Sequence, residues 1–282
     1  MMPISLRPVL FCLTVVLLFA AVFSTVSNAA VAEVLSPTVA SVENGGSIYL
    51  GKIGPGQTVY VTVKGTTTTG GRYGLGGTWQ ILRVVELPEG WEGFDSKEMA
   101  TQMQAGIKAA SDAADGRYRV KLALEEDVTK QQQLGNVLFY VTLDVDKNVL
   151  RATFPQKETN TGVGQPARYE IIIENTGKAS DIFDISSTGV PNWNFTKTIH
   201  IPAEKTVTTF YEFTVNEEGE YQPTIQITSQ SSNLIASQQN VKVTVKSNLE
   251  GDIKATKNGV LIFPTVLEPL YALLGLIGHA MG

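Results

Sequence analysis

The stretch from Gly162 to Gly177, Gly-Val-Gly-Gln-Pro-Ala-Arg-Tyr-Glu-Ile-Ile-Ile-Glu-Asn-Thr-Gly, limits the fold of this chain more than any other. Tyr169, Ile171 and Ile173 alternate with Arg168, Glu170 and, less cleanly, Ile172. A period of two places alternate side chains on opposite faces of a sheet. The Gly-Gln-Pro before the run and the Asn-Thr-Gly after it are turn chemistry. A fainter copy runs from Gly54 to Gly65.

The copy is part of a longer echo. Gly56-Gln57 before one strand matches Gly164-Gln165 before another. Leu87-Pro88-Glu89-Gly90-Trp91 matches Val190-Pro191-Asn192-Trp193, and Asp115-Gly116-Arg117-Tyr118 matches Glu218-Gly219-Glu220-Tyr221. Phe139 to Leu143 matches Val241 to Val245. Pro88 and Pro191 are 103 positions apart, as are Gly116 and Gly219. Four landmarks in the same order indicate a duplicated domain. Short strands at this spacing, separated by Gly, Pro and Asn, predict an all-β protein of two tandem Ig-like β-sandwiches, residues 31–150 and 151–247.

In the first repeat strands are expected at 47–50, 59–63, 79–85, 118–124 and 137–145. The segment from Asp95 to Asp115 carries both a capping-box pattern and a period of two; a turn at 96–100 followed by a strand at 101–109 is expected. The glycine-rich run from Gly65 to Gly77 lacks the Gly-Lys-Ser/Thr ending of a phosphate loop and predicts a mobile surface loop. In the second repeat strands are expected at 167–174, 182–186, 194–199, 207–215, 221–229 and 240–245. Trp91, Trp193, Tyr118 and Tyr221 are expected to plug the sandwich ends. The alternative use of the tryptophans is a platform for sugar.

At these residues the second half resembles the CARDB-type cell-adhesion-related Ig-like modules, and equally the Ig-like domain attached to α-galactosidases. The likeness lies in the strand ending in Asn175-Thr176-Gly177, in Asp181-Ile182-Phe183-Asp184-Ile185, in Pro191-x-Trp193 and in Gly219-x-Tyr221. The first half is similar only weakly: Lys64-Gly65-Thr66 replaces Asn-Thr-Gly, and the glycine loop replaces the Asp-x-Phe strand. The resemblance implies seven-stranded sandwiches on surface or secreted proteins, without enzymatic activity and without catalytic residues to carry over.

Both ends are apolar. Arg7 precedes a run from Val9 to Phe23 and then small residues up to Ala30, the pattern of a signal peptide over residues 1–30. The polar segment 248–259 reads as a linker. Residues 260–282 read as a hydrophobic membrane-associating tail with a helix after Pro269, whose apolar residues include Leu261, Ile262, Phe263, Pro264, Leu270, Tyr271, Leu273, Leu274, Leu276 and Ile277. From Pro269 to Met281 a helix is about 20 Å long, short of a bilayer's roughly 30 Å core. Partial insertion, docking on a membrane protein or self-association, and spanning all remain open.

The only cysteine, Cys12, lies in the leader, so the mature body has no thiol chemistry. Two histidines, His200 and His279, rule against a histidine triad or zinc site. A net charge of −5 without a basic block excludes a nucleic-acid footprint. The acidic residues Asp144 with Asp146 and Asp181 with Asp184 are expected to be solvated surface. Asn194-Phe195-Thr196 is a glycosylation sequon on an expected strand. The expected function is therefore non-enzymatic, with no cofactor: an extracytoplasmic surface or envelope protein that mediates adhesion or interaction. Its partners would be membrane lipid or a membrane protein, other surface proteins, or glycans. A carbohydrate-binding accessory module is the alternative.

Overall fold

The computed structural model describes residues 30–126, 129 and 134–247, and among the described residues the regular elements are strands apart from short 3-10 turns. The predicted leader, linker and tail lie outside the described residues. The first repeat contains β1 (Ala32–Ser36), β2 (Ala40–Val42), β3 (Ser47–Ile53), β4 (Thr58–Lys64), β5 (Thr66–Thr67), β6 (Gly77–Glu86), β7 (Glu92–Phe94), β8 (Gln102–Lys108), β9 (Gly116–Glu126) and β10 (Val137–Val145). They form two sheets, β2-β1-β4-β8-β7 and β3-β10-β9-β6-β5. The period of two does what it should: in β4, Val59, Val61 and Val63 are buried while Tyr60 faces water.

The 3-10 turn Lys147–Val149, capped by the Asp146 carboxylate on the amide of Asn148, leads into the second repeat. There the strands are β11 (Leu150–Thr153), β12 (Glu158–Thr161), β13 (Pro166–Asn175), β14 (Asp181–Thr188), β15 (Lys197–Ile201), β16 (Thr206–Thr214), β17 (Gly219–Tyr221), β18 (Thr224–Ser229), β19 (Ala236–Asn240) and β20 (Lys242–Val245). Their orders are β11-β13-β16, β12-β20-β17 and β15-β14-β18-β19. Two separate apolar clusters result. One is built around Trp79, Leu122 and Phe139, the other around Tyr169, Phe183 and Phe213. Each fully buried large side chain contributes roughly 1.5–3 kcal/mol.

The sheet orders are those of Ig-like sandwiches. In the first unit β1, β4, β8 and β7 take the places of strands A, B, E and D, and β6, β9 and β10 those of C, F and G. In both units an early strand lies parallel to the last one, β3 on β10 and β12 on β20. Both also carry a tyrosine corner. The Tyr118 hydroxyl donates to the carbonyl of Ala114 at 3.0 Å, and the Tyr221 hydroxyl to that of Glu217 at 3.2 Å. Gly116 and Gly219 enter the two corners with φ of 158° and 157°. The paired Gly-x-Tyr landmarks are thus one structural device used twice. Tyr118→Phe and Tyr221→Phe are expected to lower stability by similar amounts, about 1 kcal/mol each; thermal denaturation checks this, and a large inequality would break the equivalence.

The repeats part after the landmark at Pro88–Trp91 and Pro191–Trp193. In the first unit the next strand, β7, joins β8. In the second, β15 crosses to the other sheet and pairs with β14. Among the described residues the sheet β11-β13-β16 therefore ends on β16, with no strand beyond it.

Tyr169 is fully buried, with its hydroxyl donating to the carbonyl of Lys242 at 2.8 Å. Burial pushes its pKa up to about 12. The folded state therefore holds this proton more tightly than the unfolded chain does. The corresponding stability is complete below about pH 10 and is lost as pH rises towards 12. Alkaline unfolding of the second unit in that window, weakened in Tyr169→Phe, is the expected result; fluorescence-monitored pH titration measures it.

Candidate functional site

Two features bring chemistry-bearing residues together: the joint between the units and a groove on the second unit. The joint begins with a turn. Gly54-Pro55-Gly56-Gln57 closes with the Gln57 amide on the Gly54 carbonyl, and Gly56 takes a φ of 70°. Glycine at the third position is what a type II turn requires. The same turn recurs at Gly162-Val163-Gly164-Gln165, again with φ 70° at its third residue.

Only the first copy faces another sandwich. Gln57 is fully buried, accepts from the Gly54 amide and donates from Nε2 to Asp181 Oδ2 at 2.7 Å. The Asp181 carboxylate, 4% exposed, also accepts from Ser229 Oγ and Ser231 Oγ at 2.7 Å each and from the Ile182 amide at 2.8 Å. A buried carboxylate is tolerable when its acceptor sites are filled in this way. The Lys178 amide donates to the Lys52 carbonyl, Ser232 Oγ to the Ser111 carbonyl, and Ala179 is buried in the first unit's core. Asn175 of the Asn-Thr-Gly motif shapes the loop that makes these contacts. Its Nδ2 donates to the carbonyls of Ala179, Ile201 and Pro202, and its Oδ1 accepts from the Gly177 amide. A polar cleft of about 540 Å³ opens beside the joint between Tyr60 and Thr58 on one side and Lys178, His200 and Gln230 on the other.

The groove, about 490 Å³, lies where β16 forms the free edge of its sheet, and is lined by Arg168, Trp193, Phe195, Lys197, Phe210 and Glu212. Tyr211 fixes its wall from inside. The Tyr211 hydroxyl donates to the Phe195 carbonyl at 2.6 Å and accepts from Trp193 Nε1 at 3.3 Å, with Ser187 Oγ at 3.3 Å. Phe195 is 53% exposed and Phe210 38%. Arg168 stacks over the Phe210 ring at 3.7 Å and pairs with Glu212 at 3.3 Å. Asn175 donates to the Lys205 carbonyl, so in the β13–β16 ladder Thr208, Phe210 and Glu212 turn their main-chain groups to the free edge. Lys197 Nζ caps one of these, the Phe210 carbonyl, at 2.8 Å.

Several expectations change here. Asn194 is not on a strand: it is exposed in the loop preceding β15, between the Pro191-Asn192 turn and Lys197. Asn192 at φ 55° and the pull of Tyr211 on the Phe195 carbonyl keep this segment out of the ladder. Asp181 is buried at the joint and not solvated. Asp144 is surface, as expected, and its pKa is held below the usual carboxylate range by hydrogen bonds from Arg117 and Tyr49. Trp91 is buried against Tyr118, with ring centroids 5.0 Å apart, whereas its counterpart Trp193 lines the groove. The base of the glycine-rich loop is tied down: the Thr67 hydroxyl bonds to Thr69 and the Trp79 amide to the Gly65 carbonyl, while Tyr73 and Leu75 at its tip are exposed. The apolar tail residues Leu261 to Ile277 lie outside the described residues. Among the described residues no group of His, Cys, Asp and Glu has the arrangement of a metal site.

No protein-family model matches the chain, and no curated protein sequence does. Among solved structures it is similar to the fibronectin(III)-like modules of Clostridium thermocellum CbhA, at 11% identity and TM-score 0.27, over 76% of this chain and 94% of that one. It is also similar to a chimeric titin Z1Z2 carrying an exogenous decorin peptide, at 10% identity and TM-score 0.34, over 78% of this chain and 99% of that one. A β-glucosidase from Listeria innocua matches at 13% identity and TM-score 0.26, over 34% of this chain and 16% of its own length. The strand orders and the two tyrosine corners define the class: this is a tandem of Ig-like β-sandwich modules.

Proposed function

We propose that this chain is an exported, membrane-associated, non-enzymatic surface protein that mediates adhesion or interaction, either alone or as an accessory subunit of a membrane complex. The observation that carries this reading is the joint. Buried hydrogen bonds at Asp181 and Ser232, together with the packing of Ala179, fix two sandwiches end to end, which suits a spacer that presents a surface at a set distance. The leader-like run before Ala30 and the apolar tail of residues 260–282 supply the sequence support for export and membrane association. The second unit is the one we relate to CARDB-type modules, through Asn175-Thr176-Gly177 and Asp181 to Ile185.

Fractionation of native cells tests the proposal. Full-length protein is expected in the membrane fraction, and protein lacking residues 260–282 is expected to be released. A full-length protein found wholly in the soluble fraction would remove the membrane half of the proposal.

A further inference from the structure

We propose that the Trp193–Phe195–Phe210 groove is a binding site for a pyranose oligosaccharide. The idea rests on the surface-protein reading for its biological setting and names the partner class. The exposed rings of Phe195 and Phe210 stand beside half-buried Trp193. Arg168 lies over one face of Phe210, so Phe195 supplies most of the open ring surface. The C–H face of a pyranose is apolar and flat, and matches a ring face. Its rim of hydroxyls both donates and accepts. The groove's rim supplies the complement: Glu212 accepts, and Arg168 and Lys197 donate.

The wall is set before any ligand arrives. Trp193 Nε1 and the Phe195 main chain are both held by the Tyr211 hydroxyl, so little ordering entropy is lost on binding. An extended peptide is the competing occupant of a free sheet edge. Lys197 argues against it. Its ammonium group occupies the Phe210 carbonyl that an added strand needs. A lysine placed on an edge in this manner blocks pairing. What stays open is the Phe195 ring beside the half-exposed Arg168–Glu212 pair, which is what a glycan uses.

Tryptophan fluorescence of the full-length protein reads the site directly, because Trp79 and Trp91 are buried and Trp193 lines the groove. The probes are cellohexaose, chitohexaose, a mannohexaose and a proline-rich decapeptide, each titrated to millimolar concentration. One saccharide is expected to change the emission saturably. Phe195→Ala, a change at an exposed ring that leaves the core intact, is expected to weaken it about tenfold, the loss of one ring stack. Three outcomes overturn the proposal: no saccharide acts; the decapeptide binds in their place; or Phe195→Ala binds as tightly as the unchanged protein. None of them bears on membrane fractionation, so the two proposals fail separately.

Discussion

Asp181→Ala is expected to lower the stability of the second sandwich by roughly 2–4 kcal/mol, the cost of leaving buried donors without their acceptor. The cost comes less from the bonds lost than from what is left behind. The Gln57 amide group and the Ser229 hydroxyl would face a buried space without an acceptor, and the partly exposed Ser231 hydroxyl and Ile182 amide would lose theirs. Denaturant unfolding measures the loss. A double-mutant cycle with Gln57→Ala separates the share that belongs to the joint from the share inside the second unit. A loss under about 1 kcal/mol would mean that water replaces the carboxylate and that the network is not what holds the units.

Gly56→Val is expected to separate the two sandwiches while each stays folded. Two effects act together. At φ 70° a side chain costs about 1–2 kcal/mol in the left-handed region. A β-carbon on Gly56 would also lie 2.1 Å from the main-chain oxygen of Ser231 in the other unit. That oxygen belongs to backbone and has no rotamer to move aside. The turn can relieve the clash only by lifting off the loop it rests on. Small-angle scattering should show a longer, more variable particle, with the circular dichroism of the strands kept. Gly164→Val is the control: its turn has the same φ, but a β-carbon there meets only the Asn216 side chain at 3.9 Å. Equal effects of the two substitutions would show that turn strain alone is at work.

The strands were legible where side chains alternate strongly. β10 spans the residues that the period of two marks, and β4, β6, β9 and β13 extend theirs by a few residues. The turn at 98–99 and the strand β8 emerged from the ambiguous segment because Met103, Ala105 and Ile107 keep the alternation. Short edge strands were not legible. β2, β7 and β12 hold three or four residues, too few to show a period. Where one strand was expected over 221–229, two occur, because Pro223 has no amide to give the ladder. Its carbonyl instead takes the amide of Val241, and the facing strand breaks there as well.

The sites were hidden for a different reason. Nothing near Gln57 announces that its partner is Asp181, and the acid looked like one more surface charge. The groove depends on which sheet β15 joins, and the proline-tryptophan landmarks at Pro88–Trp91 and Pro191–Trp193 are alike while their following strands pair differently. What the sequence did carry was Asn175-Thr176-Gly177: a buried amide with both ends engaged in one tight loop.

The parallel pairs β3–β10 and β12–β20 have a mechanical meaning. Each joins an early strand of its sandwich to the last one, running the same way. A pull on the two ends of the chain drags these strands past each other lengthwise, so the bonds of a ladder carry the load in concert and cannot peel open singly. A body tethered at one end and gripped at the other would therefore resist stretching in both modules.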